Sequence, residues 1–257
     1  MLIYVPLIFI IILSFNGQTD RGNINLNFNT PTTINYFALF QDNEFINAIL
    51  NSILLSAVVV PLAMIIAIMT TFGMWRTRPF QTKGVLMSAN LTIINPDAIT
   101  GISLALLFAS TWIPLGFNLG FFTVALAHIS FCAPYAIITL YPRMCKMRIN
   151  QVLASYDLGH SKMYTFWKIV VPYLMPAIIS ATAIVLATSL DDFIITNLVN
   201  GSFQTIGTLM YNTRKGIKAW VVTFGAFVVI ITLLIIVIGG FSKYLKNNKT
   251  KKMLDRE

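Results

Sequence analysis

Uncharged apolar runs of about 20 residues recur along this chain, and they constrain its fold more than any other feature. An α-helix rising about 1.5 Å per residue needs roughly 20 apolar residues to cross about 30 Å of hydrocarbon. Residues 52–72, 120–141, 173–190 and 221–241 carry no Lys, Arg, Asp or Glu, and 84–109 is interrupted by Asp97 alone. Residues 2–15 form a shorter run that as helix extends only about 21 Å, so a truncated start or a thinned bilayer is expected there. A cleaved signal peptide is the rival reading of that segment. It lacks a basic leading region, and Asn16, Gly17 and Gln18 follow where small cleavage-site residues belong.

Hydrophobic residues make up 56% of the chain and charged ones 11%, the composition of a bilayer protein. In lipid each run can satisfy its backbone polar groups only as helix. The expected fold is therefore an all-α polytopic membrane protein of about six transmembrane helices in one domain, without repeats or a soluble module.

Lys and Arg fall unevenly. Arg76, Arg78 and Lys83 lie in one connection, Arg143, Lys146, Arg148, Lys162 and Lys168 in another, and a basic tail fills 242–257. Arg21, Arg214, Lys215 and Lys218 lie on the opposite side. Basic residues are retained in the cytoplasm, so both termini and the segment 153–172 are expected there, and the +9 net charge is mainly topological. The tail offers no groove-reading context for nucleic acid and is expected to touch anionic lipid.

Enzyme signatures are missing: the chain has no GxxxxGK[ST], HExxH or GxSxG pattern. Cys132 and Cys145 form no CxxC pair. His128 and His160 are too far apart for a recognisable metal motif, and His128 is expected to be a hydrogen-bonded packing residue rather than a proton relay. No cofactor is expected in this chain. Any ATP-driven movement must be powered by a separate subunit gripping the cytoplasmic side.

The segment 153–172 is the only substantial surface for such a grip. Gly159 can end a short helix and turn the chain. Met163, Phe166, Trp167 and Val170 follow at spacings of 3, 1 and 3, an apolar helical face, and Pro172 opens the next span. A helix pair lying flat under the membrane would transmit a push that a loop would absorb; an interfacial anchor is the plainer alternative.

This segment resembles the EAA loop of permease subunits of ABC importers, Glu-Ala-Ala, three residues, Gly, nine residues, Ile, one residue, Leu-Pro. Ala154, Ser155, Gly159, Ile169, Val171 and Pro172 fall in register, while Leu153 stands where the motif has Glu. The PD of the third run, the MPA after the island and the SLDD-F segment are similar to the spermidine/putrescine permeases of that family. The resemblance covers nearly the whole chain. It implies a type I importer transmembrane domain in a bacterial plasma membrane, a homologous sister permease, two cytoplasmic ATPase subunits that bind the ATP, and an extracytoplasmic polyamine-binding protein. It also implies coupling through Leu153, Ala154, Ser155, Gly159, Ile169 and Pro172, without the salt bridge a glutamate at 153 would make.

Acids stranded in apolar runs suggest a cation path independently, because a carboxylate at a helix centre costs about 2.5–3.5 kcal/mol on insertion scales. Asp97 falls about 20 Å into the third run if that run is one helix, with Pro96 kinking it and Asn90 and Gly101 on the same face. Asp191 and Asp192, with Ser189 before them, follow the fifth run in its outer part or a re-entrant turn. Adjacent carboxylates repel unless a cation is near, and a polyamine would relieve them. Capping of helices or pairing with Arg214 and Lys215 is the competing reading. Tyr36, Trp112, Tyr135, Phe193 and Tyr211 are placed to add cation–π attraction. Ala177, Ala181, Ala183 and Ala187 form two i, i+4 small pairs suited to close helix packing.

Alternating access past Asp191, Asp192 and Asp97 is the expected mechanism. A proton-coupled secondary transporter and a membrane-embedded transferase are the alternatives; the first needs no docking island and the second needs a polar catalytic cluster.

Overall fold

The structure is a computed structural model that describes residues 4–19, 22–25, 27–28, 31–213 and 218–234. Among them the regular elements are helices, with three isolated β-bridges. Along the chain run α1 (Tyr4–Ser14), α2 (Ile34–Leu39), α3 (Asn43–Trp75), α4 (Pro79–Ile94), α5 (Asp97–Thr111) and α6 (Phe121–Cys145). Then come α7 (Ile149–Asp157), α8 (Lys162–Thr165), α9 (Val171–Asp191), α10 (Ile194–Val199), α11 (Ile206–Asn212) and α12 (Ala219–Leu234). The chain divides into two units, Asn47–Tyr211 and Met1–Ile46 with Asn212–Glu257.

Three continuous helices are long and apolar enough to cross a membrane: α3, α6 and the rod Lys162–Asp191, in which α8 and α9 are joined. The run 52–72 lies within α3, which starts earlier because the Asp42 carboxylate accepts the orphan N–H groups of Glu44 and Phe45 at 2.9 and 3.2 Å. With one broken pair and the shorter apolar helices α1 and α12, the six expected segments are accounted for as an approximate count. Residues 235–241 of the sixth run, the tail 242–257, Arg21, Arg214 and Lys215 lie outside the described residues.

The broken pair corrects the expectation of one continuous helix over 84–109. α4 and α5 meet at 106° across Asn95 and Pro96. A residue before proline is pushed out of the helical region by the ring, and Asn95 is extended at φ −67°, ψ 135°. Asp97 therefore opens α5 instead of lying deep in a straight helix, and the 20 Å depth assigned to it does not apply. Asn90 is left on α4, its amide donating to the Leu86 carbonyl at 2.8 Å, while Gly101 stays on the helix of Asp97.

In the larger unit small side chains let helices approach. Leu55, Val59, Ala63 and Ala67 of α3 join Val124, Ala127, Cys132 and Ala136 of α6 and Ala181 and Val185 of α9 in one buried cluster. Ala177 packs against that cluster with Ala181, whereas Ala183 and Ala187 are exposed. α10 packs along α5 and α6. Gly101 permits this: a Cβ there would lie 2.7 Å from Leu198 Cδ1 and 3.2 Å from Ile195 Cα.

In the smaller unit asparagines tie the chain after α1. Buried Asn35 donates to the carbonyls of Ser14 and Asn16 at 3.0 and 2.7 Å, and Asn16 donates to those of Asn25 and Asn27. Tyr36 hydrogen bonds to Ser14 at 2.6 Å. Leu13, Ile24, Ala219 and Val222 form the apolar cluster of this unit, and Phe45 packs against Trp220 and Phe224.

Candidate functional site

The segment around Gly159 is a helix, a turn and a second helix. α7 ends where Gly159 takes φ +81°, a left-handed conformation that favours glycine. Ser161 then caps α8 by accepting from the Tyr164 N–H at 3.2 Å. Buried hydroxyls of Ser155 and Thr165, 2.8 Å apart, fasten α7 to α8. Instead of breaking at Pro172, the helix continues into α9 through a wide π turn, Phe166–Val170. That turn lies directly before Pro172, whose ring and missing N–H disturb the normal ladder.

The expected apolar face is divided. Phe166 and Val170 are buried, Phe166 edge-on to Phe72 at 5.1 Å, while Met163 and Trp167 point outward at 66% and 56% exposure. Leu153 and Leu158 are exposed too, as are Ala154, Gly159 and Pro172; Ile169 is half-buried. Leu153, Leu158, Met163 and Trp167 thus stand exposed on either side of the turn at Gly159.

The other end of the Lys162–Asp191 rod carries the acids. At about 1.5 Å per residue its 30 residues extend about 45 Å. There a cavity of about 200 Å³ is lined by Asp97 of α5, Phe131 and Tyr135 of α6, Thr188 and Asp191 of α9, and Asp192, Phe193 and Ile194 at the start of α10. Three carboxylates separated by up to 95 positions thus meet in one place.

Their surroundings differ. Asp191 closes α9, where helix carbonyls already concentrate negative charge, and Asp97 opens α5, where amide groups favour an anion. Both are exposed, and among the described residues neither side chain has a hydrogen bond or ion pair. Asp192 has turned inward, its side chain only 6% exposed. It accepts from the backbone N–H groups of Ile195 at 3.2 Å and Thr196 at 2.9 Å, and from the Thr196 hydroxyl at 2.7 Å. His128 Nε2 lies 3.4 Å from the same carboxylate. Extended backbone at Asp192, φ −67° and ψ 126°, sends the adjacent side chains different ways.

Ser189 belongs to this network and does not line the cavity: it is buried and lies 3.1 Å from His128 Nδ1. His128 is hydrogen bonded and packed, its ring 4.9 Å from that of Phe131. Of the aromatic residues weighed from sequence, Tyr135 and Phe193 line the cavity and Tyr211 packs on Phe193 at 4.9 Å. Trp112 packs between Phe108 and Phe117, and Tyr36 is engaged with Ser14. Phe131 and Thr188 escaped the sequence reading. The spacing of His128, Phe131 and Tyr135, which places them on one helix face, was the available signal.

Residues 35–251 match the family described as binding-protein-dependent transport system inner membrane component. The chain is 44% identical over 258 residues to the spermidine/putrescine transport system permease protein PotC homolog of Mycoplasma pneumoniae, covering 98% of this chain and 90% of that protein. It is 27% identical to the permease protein PotC of Escherichia coli strain K12, with 97% and 91% covered. In fold it is similar to a bacterial ABC transporter involved in the import of the acidic polysaccharide alginate, with TM-score 0.67, 17% identity and 95% and 91% covered. The MetNI methionine ABC transporter gives TM-score 0.60 at 16% identity, with 82% and 96% covered. With the family matched over most of its length and a relative 44% identical along nearly all of it, the chain belongs to the inner membrane components of binding-protein-dependent transport systems.

Proposed function

We propose that this chain, with a sister permease, forms the path by which polyamines such as spermidine and putrescine cross a bacterial plasma membrane, powered by ATP bound in separate cytoplasmic subunits. The convergence of Asp97, Asp191 and Asp192 on one cavity with Tyr135, Phe131 and Phe193 carries this reading. Spaced ammonium groups satisfy separated carboxylates, and the methylene spacers between them suit aromatic walls. A ring face adds about 0.5–2 kcal/mol of cation–π attraction. The cavity is smaller than the roughly 300 Å³ at which ligand pockets begin, which suits a wall completed by a second subunit. The names of the curated relatives supply the polyamine class.

Drive enters at the opposite end of the rod. The exposed apolar surface around Leu153, Leu158, Met163 and Trp167 receives an ATPase subunit on the cytoplasmic side, with Gly159 at the centre of the contact and both chain termini on that side. A continuous helix from Lys162 to Asp191 then moves the acid cavity when the ATPases close. An extracytoplasmic binding protein delivers the cation.

The test is uptake of labelled spermidine and putrescine into proteoliposomes holding the complete transporter. Asp97→Asn and Asp191→Asn each raise KM roughly tenfold, the scale of a lost charge-assisted contact, with the ATPase still copurifying. Unchanged uptake in both variants would sink the cation path.

A further inference from the structure

The contacts around Asp192 divide the labour among the three acids, and they single out a residue that does not line the cavity. Thr196 Oγ1 uses its one proton on Asp192, so toward His128 Nε2, 2.8 Å away, it can only accept. That places a proton on Nε2 and pairs Nδ1 with the Ser189 hydroxyl at 3.1 Å. The chain runs Ser189 to His128 to Thr196 to Asp192, and it links α9, α6 and the start of α10. His128 is wholly buried, Thr196 likewise, and Ser189 is 4% exposed. Three donors bind the Asp192 carboxylate, and His128 Nε2, its proton directed to Thr196, lies 3.4 Å from it, whereas Asp97 and Asp191 have no donor among the described residues.

We infer that His128 is a positioning residue of the cation path. Through Thr196 it fixes the Asp192 carboxylate at the cavity wall, so that Asp192 is a stationary anchor while Asp97 and Asp191 are the acids free to follow a moving cation. This rests on the cation-path reading above. A packing role alone would need only a ring of the right size; positioning needs the Nε2 donor and the hydroxyl that orients it. A carboxylate displaced from its place at the cavity wall loses attraction for the cation as their separation grows.

The experiment measures polyamine uptake kinetics in proteoliposomes of the complete transporter, for His128→Leu, His128→Gln, Ser189→Ala, Asp192→Asn and the pair His128→Leu with Asp192→Asn. His128→Leu raises KM about tenfold with little change in kcat, and His128→Gln, whose amide nitrogen reaches the Nε2 position, recovers most of that loss. Ser189→Ala raises KM about threefold, and it keeps the test alive should His128→Leu fail to insert. The double variant is no worse than Asp192→Asn alone, since His128 acts through that carboxylate. Full additivity in the double variant, or equal losses for Leu and Gln, overturns the inference while Asp192→Asn still impairs uptake. Normal uptake by Asp192→Asn overturns the anchor role and this inference with it, whereas the cation-path reading falls only if Asp97→Asn and Asp191→Asn also transport like the parent.

Discussion

The packing of α10 on α5 hangs on Gly101, and replacing that glycine measures how tightly the cavity wall is held. Two effects oppose each other in Gly101→Ala. Removing glycine from a helix interior gains about 1 kcal/mol. Against it, the new Cβ lies 2.7 Å from Leu198 Cδ1 and 3.2 Å from Ile195 Cα. Leu198 is 37% exposed, so its tip can turn aside, and the Ile195 backbone needs to yield only a few tenths of an ångström. The two effects nearly cancel, leaving Gly101→Ala within about 1 kcal/mol of the parent. Gly101→Val has no such balance, because its γ carbons meet the Ile195 backbone, and overpacking costs about 1–3 kcal/mol. The shift falls on α10, whose first turn supplies the donors that hold Asp192. Thermal unfolding in detergent should place Gly101→Ala beside the parent and Gly101→Val clearly below it, with KM for uptake raised in Gly101→Val alone. A Gly101→Val protein that melts and transports like the parent would refute this account of the α5–α10 contact.

Two further outcomes concern the coupling segment. Gly159→Asp places a side chain at φ +81° for about 1 kcal/mol and thrusts a charge into the apolar docking surface. It should leave membrane insertion intact while ATP hydrolysis, measured alongside uptake, no longer drives transport; normal coupled uptake would count against docking at that turn. Ser155→Ala removes the 2.8 Å bond to the buried Thr165 hydroxyl, which keeps its 3.1 Å bond to the Ser161 carbonyl, a loss of about 1 kcal/mol. It should lower the melting temperature slightly and weaken copurification of the ATPase, and an unchanged melt would show that the α7–α8 clasp carries no stability.

What the chain of amino acids determines by itself is its solvent and its punctuation. Burial of uncharged 20-residue runs in lipid dictates helices, because no other local structure satisfies the backbone there. Gly159, Pro96 and the acid positions are also visible in one dimension, since turns, helix breaks and misplaced charges are properties of single residues. Distance in space is not. How far the chain bends at Asn95 and Pro96 is set by what α5 packs against, and the 106° turn carries Asp97 beside Asp191 and Asp192. Which edge of the apolar stripe in 163–170 is covered is likewise decided by packing: Phe166 and Val170 are buried and Met163 and Trp167 face outward. Most of all, Asp191 and Asp192 are neighbours of the same type, and only the tertiary structure separates them. One faces the cavity bare at a helix C-terminus; the other is held by Ile195, Thr196 and, across the interior, His128.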